Sequence, residues 1–197
     1  MVNRIRTLEL IEPYVARGDL EAVKTALKIF RDTGPIWGNA YTISTCGKSM
    51  DKVDYVIDHV VAQVQYSEIE DEVDVECCED TFNWLTGIDG LGSFLAAQVV
   101  ADLKNTVGHP LYDAPDKWDF VTHGPGSLRG LGAFWGTVVT PSTFKGRLSA
   151  ATALVTPLLP SYIGPIHAQD MQNAMCEFSK YIRVKEGGRA RNTYPPK

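Results

Sequence analysis

No stretch of this 197-residue chain approaches the ~20 consecutive apolar residues of a membrane span, and its N-terminus has no signal-peptide pattern. The four cysteines, Cys46, Cys77, Cys78 and Cys176, form no CxxC pair. That argues against a zinc site and for a reduced, cytoplasmic setting. No GxxxxGK[ST] stretch exists, so ATP is not held as a P-loop kinase holds it, and GxSxG and HExxH are missing too. Histidines are few and scattered, at His59, His109, His123 and His167. Sustained strand alternation, internal repeats and low-complexity segments are also lacking. What remains is a mainly α chain, expected to form a single domain over residues 1–197 with a basic tail from about 185.

Charge is unevenly placed. The formal net charge is −5, yet residues 68–80 hold eight acids and no base. From Lys117 onward ten Lys/Arg face four Asp/Glu, a local +6. Arg183, Arg189 and Arg191 belong to this basic end. Such asymmetry fits a basic face that meets phosphates, although a solvated basic tail would account for it equally.

The chain is organised around residues 84–131. Gly87, Gly90 and Gly92 cannot all lie inside one stable helix, so they mark a tight turn. Ser93 is placed to cap a following helix carrying Leu95, Val99, Val100 and Leu103, and residues 81–85 read as the end of a preceding one. Helix, glycine turn, helix is the outline of a helix-hairpin-helix, whose turn amides and helix N-terminus hold a DNA backbone phosphate. Gly90, Gly92 and Ser93 are the candidates for that grip. A second glycine turn is expected at His123–Leu131, with Gly124, Gly126 and Ser127 as phosphate donors and Arg129 added. The GxGxxxG spacing there could mimic a dinucleotide turn, but no βαβ alternation surrounds it. Gln98 and Asp102 share one helix face.

Elsewhere, helices are expected over residues 2–16, from an Asp19 cap onward, over 50–66 with Ser49 as cap, from Thr140, and from about His167 to Val184. Trp37, Asn39 and Tyr41 are either core packing or one wall of a pocket, with packing favoured. On the last helix, Asp170, Asn173, Glu177 and Lys180 fall at 3-4-3 spacing, either as a solvated face or as part of a polar pocket. The acidic run reads as a solvated loop or helix start. Candidates for chemistry are Asp89, Asp102, Asp116, Glu177, Arg129 and Lys180. Carboxylates take protons, and cations beside helix N-termini suit a phosphate or pyrophosphate. Any one carboxylate could equally be a cap or a salt-bridge partner.

Four blocks carry a resemblance: Gly38-Asn-Ala-Tyr41, Gly92-Ser-Phe-Leu-Ala-Ala-Gln-Val-Val-Ala-Asp-Leu103, Gly124-Pro-Gly-Ser-Leu-Arg-Gly-Leu131 and Cys176-Glu-Phe-Ser-Lys-Tyr181. In this order the chain resembles the DNA-glycosylase-like helical proteins of phage thymine hypermodification. These are the amino acid:DNA transferases, or α-glutamyl/putrescinyl-thymine pyrophosphorylases, and the related helical domain of 5-hydroxymethyluracil DNA kinases. The resemblance implies a helix-hairpin-helix, DNA-glycosylase-like fold. It implies double-stranded DNA carrying 5-pyrophosphoryloxymethyl-uracil as substrate, and an amino acid or polyamine that displaces pyrophosphate. Base flipping would suit such chemistry without being required. Gly90–Gly92 would grip a DNA phosphate, and Arg129 and Lys180 would neutralise pyrophosphate. Asp102 or Glu177 would accept the amine proton, and Asp116 stands roughly where glycosylase relatives keep a carboxylate. Gln98, His123, Trp37, Asn39 and Tyr41 would line the substrate pocket. Ser179 departs from the acidic residue expected between Phe178 and Lys180. A magnesium ion on the pyrophosphate is compatible, although no carboxylate cluster calls for one. A phage kinase or downstream modification enzymes are the expected protein partners. The competing readings are an accessory DNA-binding module of such a kinase, a base-excising glycosylase, and a structural protein with a chance hairpin.

Overall fold

In the computed structural model, residues 4–37, 43–65 and 75–189 are described. Among them every regular element is a helix, and no helix is long and apolar enough to cross a membrane. Asn39, Tyr41, most of the acidic run and the tail beyond Arg189 lie outside the described residues. The chain gathers into two compact units, one up to Thr106 and one from Val107.

In the first unit, α1 (Ile5–Val15) packs on α2 (Leu20–Arg31). Gly18 breaks the chain between them at φ +67°, and the Asp19 carboxylate accepts from the Ala22 N–H at 3.0 Å, the cap expected of it. The next helix opens as α3 (Lys52–Asp54), widens into a π-helical stretch, Tyr55–Val61, and closes as α4 (Ala62–Gln65). Its cap is Asp51, accepting from Val53 N–H at 2.8 Å, in place of the expected Ser49. Aspartate wins here because the same carboxylate also receives Arg31 at 2.5 Å. The wider π turn buries Tyr55, Val56, Ile57 and Val60 together. Ile11, Val23, Leu27, Ile36, Val53 and Ile57 form the core, with Trp37 packed against it.

A row of ion pairs runs along this contact: Lys24–Asp58 at 3.0 Å, Lys28–Asp54 at 2.5 Å and Arg31–Asp51. The spacing 24, 28, 31 against 58, 54, 51 makes the two helices antiparallel neighbours. Arg31 holds the Asp51 carboxyl below the usual carboxylate range. Asp51→Ala should therefore cost about 1 kcal/mol at neutral pH. A carboxyl depressed in the folded state contributes above its unfolded pKa of about 3.9 and loses that contribution as pH falls through its folded value. Urea midpoints of the variant and the parent should differ at pH 7 and converge progressively below about pH 4.

Beyond this, α5 (Cys78–Thr86) packs on α6 (Ser93–Lys104) across the glycine turn. The second unit holds a 3-10 turn at Pro110–Asp113, then α7 (Pro125–Trp135), α8 (Pro141–Val155) and α9 (Ala168–Lys185). Val121, Leu131, Val139, Phe144, Leu148, Ala151, Met171 and Met175 form its core.

Candidate functional site

The second glycine stretch corrects the expectation of a turn. Gly124 is an N-cap in extended conformation, Pro125 is the first helical residue, and Gly126 to Gly130 lie inside α7. The glycines serve a close approach of two helices. A Cβ on Gly130 would lie 1.8 Å from the Met175 carbonyl oxygen, and one on Gly126 would lie 2.5 Å from Cys176 Sγ, both on α9. Ser127 is buried, and its hydroxyl is committed to Gly124, accepting from the N–H at 2.9 Å and donating to the carbonyl at 3.0 Å. It reinforces the helix start instead of facing a ligand. His123 is exposed just ahead of the cap, edge-on to Phe144 at 6.0 Å.

Where α7 and α9 meet, they leave a groove of about 880 Å³. Gly126, Arg129, Glu177, Lys180 and Arg183 line it. Thus three expected catalytic residues and two expected phosphate-binding residues come to one surface. Glu177 and Lys180 form an ion pair, and both are exposed. Among the described residues Arg129 and Arg183 have no ion pair, and the Arg183 Nε is buried without a hydrogen-bond partner. Two guanidinium groups are therefore uncommitted at a groove wall, a fit for phosphate oxygens.

The first glycine turn forms as expected, with Leu91 N–H donating to Ile88 O at 3.0 Å. The helix cap is Gly92, however, and Ser93 is the first helical residue, with no side-chain cap bond. Gly90 has φ +94°, and a Cβ there would lie 2.7 Å from the Tyr55 hydroxyl and 2.9 Å from Val60 Cγ2. Only glycine satisfies both the backbone and the space. Asp89, beside it, pairs with Lys48, which holds its carboxyl below the usual range. The Lys48 ammonium lies 5.3 Å from the Tyr55 ring centre. Tyr55 and Lys48 were not singled out in the sequence, where Tyr55 reads only as a residue beside an apolar stripe.

The remaining candidates are dispersed. Asp102 is exposed in the last turn of α6, contrary to its apolar sequence surroundings, and its carbonyl accepts from the Thr106 hydroxyl at 2.8 Å. Gln98 is half-buried one turn earlier. Both belong to the first unit, whereas Arg129, Glu177 and Lys180 belong to the second. Asp116 is half-buried in the turn before α7, its carbonyl accepting from Phe120 N–H at 2.7 Å. Trp37 packs in the core, with the Lys52 ammonium 4.9 Å from its ring centre. Arg189 is exposed past the end of α9 and does not line the groove.

The family described as 5-hmdU DNA kinase, helical domain, matches residues 1–189. The chain belongs to this family. Neither a curated relative nor a solved structure matches it. Membership in the 5-hmdU DNA kinase helical-domain family places the chain in 5-hydroxymethyluracil-related DNA modification, the broader part of what the four sequence blocks implied. In this family member no three His, Cys, Asp or Glu side chains among the described residues come together to hold a metal ion.

Proposed function

We propose that the chain acts on duplex DNA whose uracil carries a pyrophosphorylated 5-hydroxymethyl group, and that it transfers an amine onto that methylene. The observation that carries the reading is the α7/α9 groove, where Arg129, Lys180 and Arg183 share one surface with Glu177. An incoming amine forms the C–N bond while the C–O bond breaks, and pyrophosphate leaves with the electron pair. Negative charge grows on the departing oxygens, which is where two unpaired guanidinium groups act. Glu177 takes the proton from nitrogen. The role of base falls to Glu177 because it shares the groove with these cations.

A second reading is an accessory DNA-binding module working with the kinase. The Glu177–Lys180 pair favours it, because that carboxylate already has a cationic partner within the groove. Incubating the protein with duplex carrying 5-pyrophosphoryloxymethyl-uracil and a mixture of amino acids and polyamines separates the two. Mass spectrometry of the digested nucleosides should show an amine adduct, with pyrophosphate released. Glu177→Gln should lower that turnover by about 100-fold or more. Unchanged substrate despite DNA binding would establish the accessory module, and free base with abasic sites would establish a glycosylase.

A further inference from the structure

The α7/α9 groove leaves unused a second cavity of the same unit, about 430 Å³, bounded by the loop at Trp118, by α8 and by the start of α9. That is the size of a small-ligand site. Buried Val121 and Leu148 line it, and Ala153 and Ala168 bring only small side chains to it. Trp118 lines it too and is 46 % exposed, although tryptophan is usually well buried. Its position is fixed without that burial. The indole centre lies 4.0 Å from the His167 ring centre, and the Trp118 carbonyl accepts from the Ala168 N–H at 2.9 Å. Among the described residues no hydrogen bond uses the Trp118 indole N–H, or the carboxylate of Asp119, which also lines the cavity. Trp135, the other tryptophan of the unit, differs, because its indole donates to the Arg147 carbonyl at 3.3 Å. A held but open ring thus stands beside an unpaired carboxylate.

We propose that this cavity takes one unpaired nucleobase of the DNA, stacked on Trp118 and donating an N–H to Asp119. The class of ligand follows from charge. One lysine, Lys145, and one aspartate, Asp119, line the cavity, so its wall carries no net charge and does not select a phosphate as the arginine groove does. A nucleobase is neutral and planar, with N–H groups on its edge. Its face suits an open indole whatever the base, because every base has a π-face. The cavity also lies within reach of the groove. Ala168 lines the one and Arg183 the other, fifteen residues apart on α9. That is roughly 22 Å along the helix axis, which about six nucleotides of one strand span at 3.4 Å each. A base held here is therefore several nucleotides from the one at Glu177. It anchors an opened strand and does not present the reacting carbon. The site rests on the DNA substrate proposed above and needs none of the transfer chemistry.

The test is fluorescence anisotropy of the full chain with two labelled duplexes, identical except that one carries a single bulged thymine. Taking a base out of the stack costs least when it is already unpaired. The bulged duplex should therefore bind about 10-fold tighter than the paired one. Trp118→Ala should bring that ratio to within about twofold of unity, whereas Trp118→Phe, which keeps a ring face, should retain most of it. Ala153→Leu fills the cavity from an exposed position on α8 without touching Trp118, so it should abolish the preference in a protein whose loop is intact. Trp118→Ala should also keep the parent's salt dependence, since no phosphate contact is lost. Equal binding of the two duplexes by the parent would overturn the site and leave the groove's phosphate contacts standing. An unchanged ratio in Trp118→Ala or Ala153→Leu would overturn it too, and would leave the cavity to a side chain of a protein partner. A flattened salt slope in Trp118→Ala would make the contact one to phosphate and overturn the stacking. Binding to neither duplex would overturn the DNA substrate and this site with it. A retained preference without adduct formation would support the site and remove the transferase.

Discussion

Gly130→Ala should be among the most damaging single substitutions in the second unit, lowering stability by about 3 kcal/mol, the upper end of overpacking costs. The sign makes this a sharp test, since glycine to alanine inside a helix ordinarily stabilises by about 1 kcal/mol. Here the added carbon would lie 1.8 Å from the Met175 carbonyl oxygen, 2.7 Å from its carbonyl carbon and 3.2 Å from its Cα. All three are backbone atoms of α9, so no rotamer change makes room and the two helices must separate. Gly126→Ala clashes with the Cys176 sulfur alone, at 2.5 Å, an atom that a side chain can move, and should cost about 1 kcal/mol. Cys176→Ala should then recover most of the Gly126→Ala loss and none of the Gly130→Ala loss. Urea unfolding of the two single variants and the two pairs measures this directly. If Gly130→Ala matched the parent, the close α7/α9 contact would be wrong, and the groove between them with it.

That contact also shows where sequence reasoning reached its limit. Gly124, Gly126 and Gly130 read as a turn because glycine is rare inside helices. Close helix packing demands glycine for a different reason, and spacing alone does not separate the two. The four-residue interval between Gly126 and Gly130 and the proline just after Gly124 were the local signals for a helix. Helix boundaries set by short-range chemistry were legible, as at Asp19 and at the first glycine turn. The cap at Asp51 was not, because Arg31, twenty residues away, decides between Asp51 and Ser49. The pairing of Lys24, Lys28 and Arg31 with Asp58, Asp54 and Asp51 is visible only once two helices are known to be antiparallel neighbours. Arg129, Glu177 and Lys180 were found from residue type and periodicity, and they do share one groove. Arg183, part of the basic end expected to meet phosphates, lines the same groove. The surroundings of Tyr55 were not legible, because its neighbours Cys46, Lys48 and Asp89 are spread over more than forty residues.

Removing both uncommitted cations of the groove, Arg129→Ala with Arg183→Ala, should weaken binding to modified duplex about 30-fold at moderate salt. Each guanidinium–phosphate contact is worth about 1 kcal/mol there, and two give about 2 kcal/mol. The more specific signature is the salt dependence. Binding that releases counterions gives a linear fall of log K with log salt, with a slope of about −0.9 per neutralised phosphate. The double variant should therefore flatten that slope by about two, and each single variant by about one. Lys180→Ala should change it less, because Lys180 already spends its charge on Glu177. Arg147 supplies the control. It lies on α8 with its guanidinium 5.5 Å from the Trp135 ring centre, away from the groove lining, so Arg147→Ala should leave the slope unchanged. Fluorescence anisotropy of a labelled duplex across 50–200 mM salt resolves slopes of this size. Equal slopes for the parent and the double variant would move the phosphate contacts off this groove, and with them the leaving-group role proposed for its arginines.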